Sequence, residues 1–321
     1  MSPTGEASTP AQVVTSTEPA RQKPTTTLAP MAAASQTPAA EEDAESAQLY
    51  EVPGDYLDSL IVADFERWFV VHVPPQYEQG RPMPLVFNLH GRGSNTIQQR
   101  DASQMDQKAD EEGFIVVYPQ ALGQPTTWFG VLFGEVGQPD MDFFVELVNY
   151  LQGKLDVNPA RIYSTGISNG ATMVNRLGCE MSDVFAGIAP VAGAHSGLHL
   201  CEINQPVSML AIHGTEDKII PFEGGGQDVP SVQTWVEAWA ERDGCQNDPI
   251  SQRPFDDVIL KFWEECDDGT DVALYTVEGG GHTWLGLKYD PQSSSFFPEV
   301  GATDVIWDFF EAHPKRNVTR D

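Results

Sequence analysis

Positive charge is scarce in this chain. Its 321 residues carry 18 Lys plus Arg against 47 Asp plus Glu, a formal net charge of −29. Nucleic acid is held through its phosphates by cationic side chains, so this balance excludes it as the expected partner. It also disfavours an anionic membrane surface, and it fits either solubility at high salt or a generally acidic secreted protein. Long apolar runs are missing as well. None approaches the roughly 20 residues that cross a bilayer, and no membrane span is expected. Cysteine is limited to Cys179, Cys201, Cys245 and Cys266, none at a metal-ligand spacing. The acidic run Asp267-Asp268-Gly269-Thr270-Asp271 lacks the calcium-loop pattern and reads as a solvated turn. No metal and no cofactor are therefore expected.

Large apolar side chains are nearly absent from residues 1–46, which are rich in Thr, Pro, Ala, Ser and Glu. Such a stretch cannot bury enough surface to offset chain entropy. It reads as a disordered tether, with one folded domain over 47–321 whose ordered chain starts near Tyr50. No stretch reads well as a signal peptide; residues 28–35, after Arg21 and Lys23, are only weakly apolar. No internal repeat is apparent.

What is present is a strand–turn–helix element around Gly166-Ile167-Ser168-Asn169-Gly170. An apolar run, 161–165, precedes it and a helical run, 171–177, follows. In a G-x-S-x-G elbow the chain reverses so sharply that the serine takes a strained backbone conformation at the tip of a sheet. The two glycines are needed where neighbouring elements come close.

Three landmarks accompany the elbow. The strand-like run Leu85-Val86-Phe87-Asn88-Leu89 ends in His90-Gly91-Arg92. An acyl-transfer site of the α/β-hydrolase kind needs a backbone N–H at the end of an early strand, and Arg92 is assigned as that oxyanion donor. The second donor is the N–H of Asn169, directly after the serine. A later buried run, 207–213, ends in His213-Gly214, and Asp217 follows within a turn. In this fold the order is nucleophile, acid, base, so Asp217 is the expected acid and Glu216 its local competitor. His213 reads as a structural residue at the strand end. Finally, the run 273–277 leads into Glu278-Gly279-Gly280-Gly281-His282. A flexible glycine loop there would let His282 reach Ser168 as general base.

Strand-like runs cover 59–63, 68–73, 85–89, 114–118, 161–165, 187–191, 207–213 and 272–277. Helical periodicity covers 102–112, closed by Gly113, and also 142–155, 232–241 and 304–312. Phe143, Phe144, Leu147, Val148, Leu151 and Leu155 form one apolar stripe, read as core rather than ligand site. Alternating strands and helices predict a mostly parallel, doubly wound sheet of about eight strands; the elbow and its three landmarks make this an expected α/β-hydrolase fold, whose short connections leave little room for a large lid.

These stretches, LVFNLHGRGSN, EEGFIVVYPQ, DVNPARIYSTGISNGATM, FAGIAPVAG, MLAIHGTEDKIIPF and EGGGHTWLG, resemble those of the polyhydroxybutyrate depolymerase and feruloyl esterase group of α/β-hydrolases, enzymes like those of carbohydrate esterase family 1. The likeness runs from about Glu66 to His313. It implies a serine esterase acting through an acyl-enzyme on polyesters such as polyhydroxyalkanoate, or on feruloyl or acetyl esters of polysaccharide. Relatives often carry Cys where this chain has Arg92; the backbone donor survives that change, while the long cation alters the acyl pocket. Trp284, beside His282, and Trp128 are candidates for the apolar wall that grips the acyl group, Trp128 being equally readable as a packed loop anchor.

Four cysteines allow three pairings. Cys179–Cys201 and Cys245–Cys266 are favoured because each closes a short local loop. An even count beside a Pro/Thr-rich tether predicts an extracellular protein, secreted or tethered, with no signal peptide seen in this sequence; four free thiols in a cytoplasmic enzyme are the alternative. Asn317-Val318-Thr319 is a sequon, relevant only in a glycosylating host. A monomer is expected. An acyltransferase of the same fold remains open, as does a catalytically inactive secreted binding protein, which would normally have lost the Ser, Asp or His.

Overall fold

A computed structural model of the protein describes residues 50, 52–130, 137–193, 201–225, 229–284 and 301–316. The expected tether, residues 1–46, and the sequon at Asn317 lie outside these residues.

The apolar runs β3 (Met83–Leu89), β4 (Ile115–Pro119), β6 (Gly187–Val191) and β7 (Ser208–Gly214) are buried along their whole length. That is the signature of strands covered on both faces. With β1 (Gly54–Val62), β2 (Phe65–Val73), β5 (Val157–Ile167), β8 (Ile250–Phe255), β9 (Val258–Trp263) and β10 (Val272–Val277) they form one ten-stranded sheet, in the order β1-β2-β4-β3-β5-β6-β7-β10-β9-β8. The centre, β4-β3-β5-β6-β7-β10, is parallel. Antiparallel pairs close both margins.

The sheet is thus larger than the eight strands expected, and more mixed. The hairpin β8–β9 turns at Asp256-Asp257, and its outer strand is almost wholly exposed and carries Pro254. A polar edge strand of this kind leaves no buried run to read, and an edge is where a strand tolerates proline. A second difference lies in residues 102–112, which are not one helix. α1 (Thr96–Ser103) and α2 (Met105–Glu112) meet at Gln104, whose φ of 53° ends the first helix. The Asn95 side chain caps α1 by accepting from the Gln98 N–H, and Gly113, at φ 81°, closes α2 as expected.

Helices α3 (Gln138–Lys154), α4 (Asn169–Glu180), α5 (Val232–Arg242) and α6 (Ala302–Ala312) complete the chain order. Phe143, Phe144, Leu147, Val148 and Leu151 of α3 are buried in the larger core cluster, as their spacing required. α5 docks onto α4 through one side chain: Asn175 Oδ1 accepts from both Trp235 Nε1 and Trp239 Nε1, at 3.0 and 2.9 Å. Disulfides join Cys179 to Cys201 and Cys245 to Cys266. Each closes a loop whose entropy in the unfolded chain is worth about 3 kcal/mol. Among the described residues no helix is long and apolar enough to cross a membrane.

One buried ion pair ties the sheet margin to α3. Arg67 Nη2 donates to Asp140 Oδ1 at 2.8 Å, with both side chains shielded from water, and its guanidinium lies 4.1 Å from the Phe143 ring centre. Asp140 Oδ2 accepts from the Phe129 N–H at 2.9 Å. Removing one partner of such a pair leaves an uncompensated buried charge. Asp140→Ala is therefore expected to cost about 3–5 kcal/mol in urea unfolding, and Arg67→Met with Asp140→Leu considerably less.

Candidate active site

All five parallel strands that flank the candidate site, β3, β5, β6, β7 and β10, end at the same sheet edge. Ser168 follows β5, with φ 59° and ψ −120°, a backbone conformation that a side-chain-bearing residue adopts only under strain. The surroundings hold it there. Its N–H donates to Val191 O at 2.9 Å, and its carbonyl accepts from the Thr172 N–H at 3.1 Å. The flanking glycines are required by space. A Cβ on Gly166 would stand 2.7 Å from Leu89 O, and one on Gly170 2.5 Å from Leu89 O and 2.6 Å from His90 O. The elbow therefore rests directly on the end of β3. Gly91 lies against Ser168 itself, an added Cβ falling 3.4 Å from Ser168 Cβ.

Asp217 sits in the turn after β7, buried, with both carboxylate oxygens occupied. Oδ1 accepts from the N–H groups of Ile219 and Ile220, each at 2.8 Å. Oδ2 lies 2.8 Å from His282 Nδ1 and 3.3 Å from His213 Nε2. Because a carboxylate only accepts, His282 carries its proton on Nδ1 and leaves Nε2 as a base. His213 Nε2 also faces Ile220 O at 2.9 Å, so it too is a donor. Burial pushes the Asp217 carboxyl up, but hydrogen bonds from His213, His282 and the Ile220 N–H outweigh it and hold the group well below the ordinary carboxylate range. His213 contacts Asp217 directly, which the strand-end position alone did not reveal.

The glycine loop before His282 is not slack. Gly280 O accepts from the Glu216 N–H at 2.8 Å, and the Gly279 N–H donates to Thr215 Oγ1 at 2.9 Å. A Cβ on Gly214 would lie 2.2 Å from Gly280 O. The glycines let two turns pack backbone to backbone, which places His282 beside Asp217. The expected flexible reach is replaced by close packing. Among the described residues no hydrogen bond joins the Ser168 hydroxyl to His282, and such contacts commonly close only when substrate arrives.

Neither tryptophan offers a free apolar wall. Trp128 is 1% exposed, and its indole N–H donates to His90 O at 3.0 Å. Trp284 is 3% exposed and donates to Thr303 Oγ1 at 3.0 Å. A large amphipathic ring is drawn inward wherever its N–H finds an acceptor. The exposed apolar side chains adjoining these segments are Phe129 and Ile219, which the sequence did not single out. Arg92 is exposed. Asn169 is the first residue of α4, where backbone N–H groups have no partner within the helix. Among the described residues, one group of side chains could share a cation: Asp55, His72 and Asp106. Arg100 already pairs with both aspartates, and each ring nitrogen of His72 faces a carboxylate, Asp55 at 2.7 Å and Asp110 at 2.9 Å.

The family described as "Esterase PHB depolymerase" matches residues 68–221. Feruloyl esterase B of Piromyces equi is 28% identical over 235 residues, 67% of this chain and 42% of that protein. The chain thus spans under half the length of that relative. Feruloyl esterase C of Emericella nidulans is 27% identical over 256 residues, 77% of this chain and 84% of that protein. Among solved structures, the acetyl xylan esterase from Aspergillus awamori superposes with a TM-score of 0.59 at 16% identity, covering 80% of this chain and 99% of that one, a likeness of fold.

The environment of Asp217 gives a pH signature. A carboxyl held below its unfolded value, about 3.9, stabilises the fold fully above that value and loses the contribution as pH falls through the folded value. Wild type is expected to exceed Asp217→Asn in stability near neutrality, with the gap shrinking below pH about 4. Urea titrations of both proteins across the acid range measure this, and a gap independent of pH contradicts it.

Proposed function

We propose that this chain, a carboxylic ester hydrolase of the α/β-hydrolase fold like the polyhydroxybutyrate depolymerases and feruloyl esterases, works through an acyl-enzyme on Ser168. The observation that carries this reading is the His282–Asp217 contact at the same sheet edge as the strained Ser168 elbow. Asp217 keeps His282 in the tautomer whose Nε2 is free to accept a proton. Ser168 Oγ attacks the ester carbonyl as His282 removes its proton. The backbone N–H groups of Arg92 and Asn169 receive the oxyanion. His282 then protonates the leaving alcohol, and water, activated by the same imidazole, releases the acid and regenerates Ser168.

Feruloyl or acetyl esters of polysaccharide are the first substrates to consider, because a feruloyl esterase and an acetylxylan esterase/xylanase are similar in sequence over most of this chain. Polyhydroxyalkanoate is the second, on the family match. Two disulfides suit an oxidising compartment, and the enzyme is taken to act outside the cell as a monomer.

Hydrolysis of short p-nitrophenyl esters by wild type and Ser168→Ala tests the mechanism, with an expected loss in kcat of about 10⁴-fold or more. A folded wild-type protein inert on every ester overturns it. Methyl ferulate, acetylated xylan and hydroxybutyrate oligomers, compared by kcat/KM, then rank the substrates.

A further inference from the structure

The two assigned oxyanion donors, Arg92 and Asn169, belong to different elements, one after β3 and the other opening α4. A third segment, residues 121–130, is bonded to both. On the β3 side, Trp128 Nε1 donates to His90 O at 3.0 Å, and the Ala121 N–H donates to His90 Nε2 at 3.1 Å. The Gly93 N–H donates to Thr126 O at 2.8 Å, and Thr126 Oγ1 donates to Ser94 O at 2.7 Å. On the α4 side, the Asn169 side chain makes a reciprocal pair with one residue of the segment. Its Nδ2 donates to Trp128 O at 2.8 Å, and its Oδ1 accepts from the Trp128 N–H at 2.7 Å. Arg176 Nη1 donates to Phe129 O at 3.0 Å. A Cβ on Gly130 would lie 2.5 Å from the Met173 backbone N and Cα, so the segment runs flat against the first turns of the helix.

We propose that Trp128 and the Asn169 side chain are positioning residues that hold the two oxyanion donors in one fixed relation. This rests on the assignment of Arg92 and Asn169 as donors. Trp128 is where the two sets of bonds meet: its indole fixes the peptide that leads into Gly91 and Arg92, and its main chain fixes the residue that supplies the other amide. The ring itself is buried against His90, at 5.4 Å between centroids, and against Phe144, at 5.5 Å. It touches no substrate; it acts through the amides. His90 fits the same scheme. Its Nε2 accepts from Ala121, so the ring proton lies on Nδ1, which donates to Gly91 O at 2.7 Å. Donors aimed at a developing charge lose their effect when displaced by a fraction of a bond length, while ground-state binding is little changed.

The experiment compares wild type, Trp128→Phe, Asn169→Ala and the double variant by ester kinetics and by backbone hydrogen exchange. Trp128→Phe removes the indole donor together with the volume of the pyrrole ring, and Asn169→Ala removes the amide pair. Each is expected to lower kcat by about 10–100-fold with KM within about 2-fold and the pH profile unmoved, and the double variant to be little worse than the worse single. Asn169→Ala is also expected to speed exchange at residues 90–93, to which its side chain makes no hydrogen bond, while α6 keeps its wild-type protection. Unchanged exchange at 90–93 overturns the coupling, as does retained kcat or a loss that appears only in KM. If the wild-type protein hydrolyses no ester, the hydrolase reading fails, and the exchange measurement still decides the coupling.

Discussion

Backbone must touch backbone where the end of β3 meets the start of α4. Leu89 and His90 present their carbonyls within 2.7 Å of where side chains at Gly166 and Gly170 would begin, and the remaining features of the site follow from that contact. It is set by the sheet, because β3 and β5 are parallel neighbours with Leu89 paired to Gly166. A slip of one residue between these strands would turn the pleat over and put a side chain into the contact. The register that buries Leu85 and Phe87 is thus also the register that places Gly91 against Ser168. Core packing and site geometry are one constraint.

Charge is used inside the fold with similar economy. Asp217 is buried, but four donors surround its two oxygens, so its ionised form is the stable one. Asp140, in turn, answers Arg67 with one oxygen and the Phe129 N–H with the other. The second bond carries the rigidity of a buried ion pair into the loop that contains Trp128. Both carboxylates serve two masters, and each thereby links a strand margin to a loop at the site. The large acidic excess of the sequence plays no visible part in this arrangement.

Much of the frame was legible because it depends on short-range patterns. Ser168, Asp217 and His282 follow β5, β7 and β10, as the apolar runs and the glycines after them indicated. The α3 stripe and the two short disulfide loops were equally local. The misreadings share a different origin. Trp284 was read as a wall, and Trp128 as a wall or equally a packed loop anchor, because aromatic residues near a site often line it; whether a ring turns outward depends on an acceptor elsewhere, here His90 O and Thr303 Oγ1. Gly279, Gly280 and Gly281 were read as slack, yet a glycine permits close approach as readily as it permits motion, and only the neighbouring turn at Gly214 reveals which applies. The break at Gln104 and the exposed strand β8 have no strong signal of their own. Asn169 was singled out for its amide, and nothing local hinted that its side chain grasps a residue 41 positions earlier.

The φ of 59° at Ser168 has an evolutionary side. A serine there is tolerated, whereas glycine reaches the same region without steric penalty. The fold would therefore gain local stability by exchanging the proposed nucleophile for glycine. Only selection for chemistry opposes that drift, so in descendants released from it, glycine at this position is the replacement that thermodynamics favours.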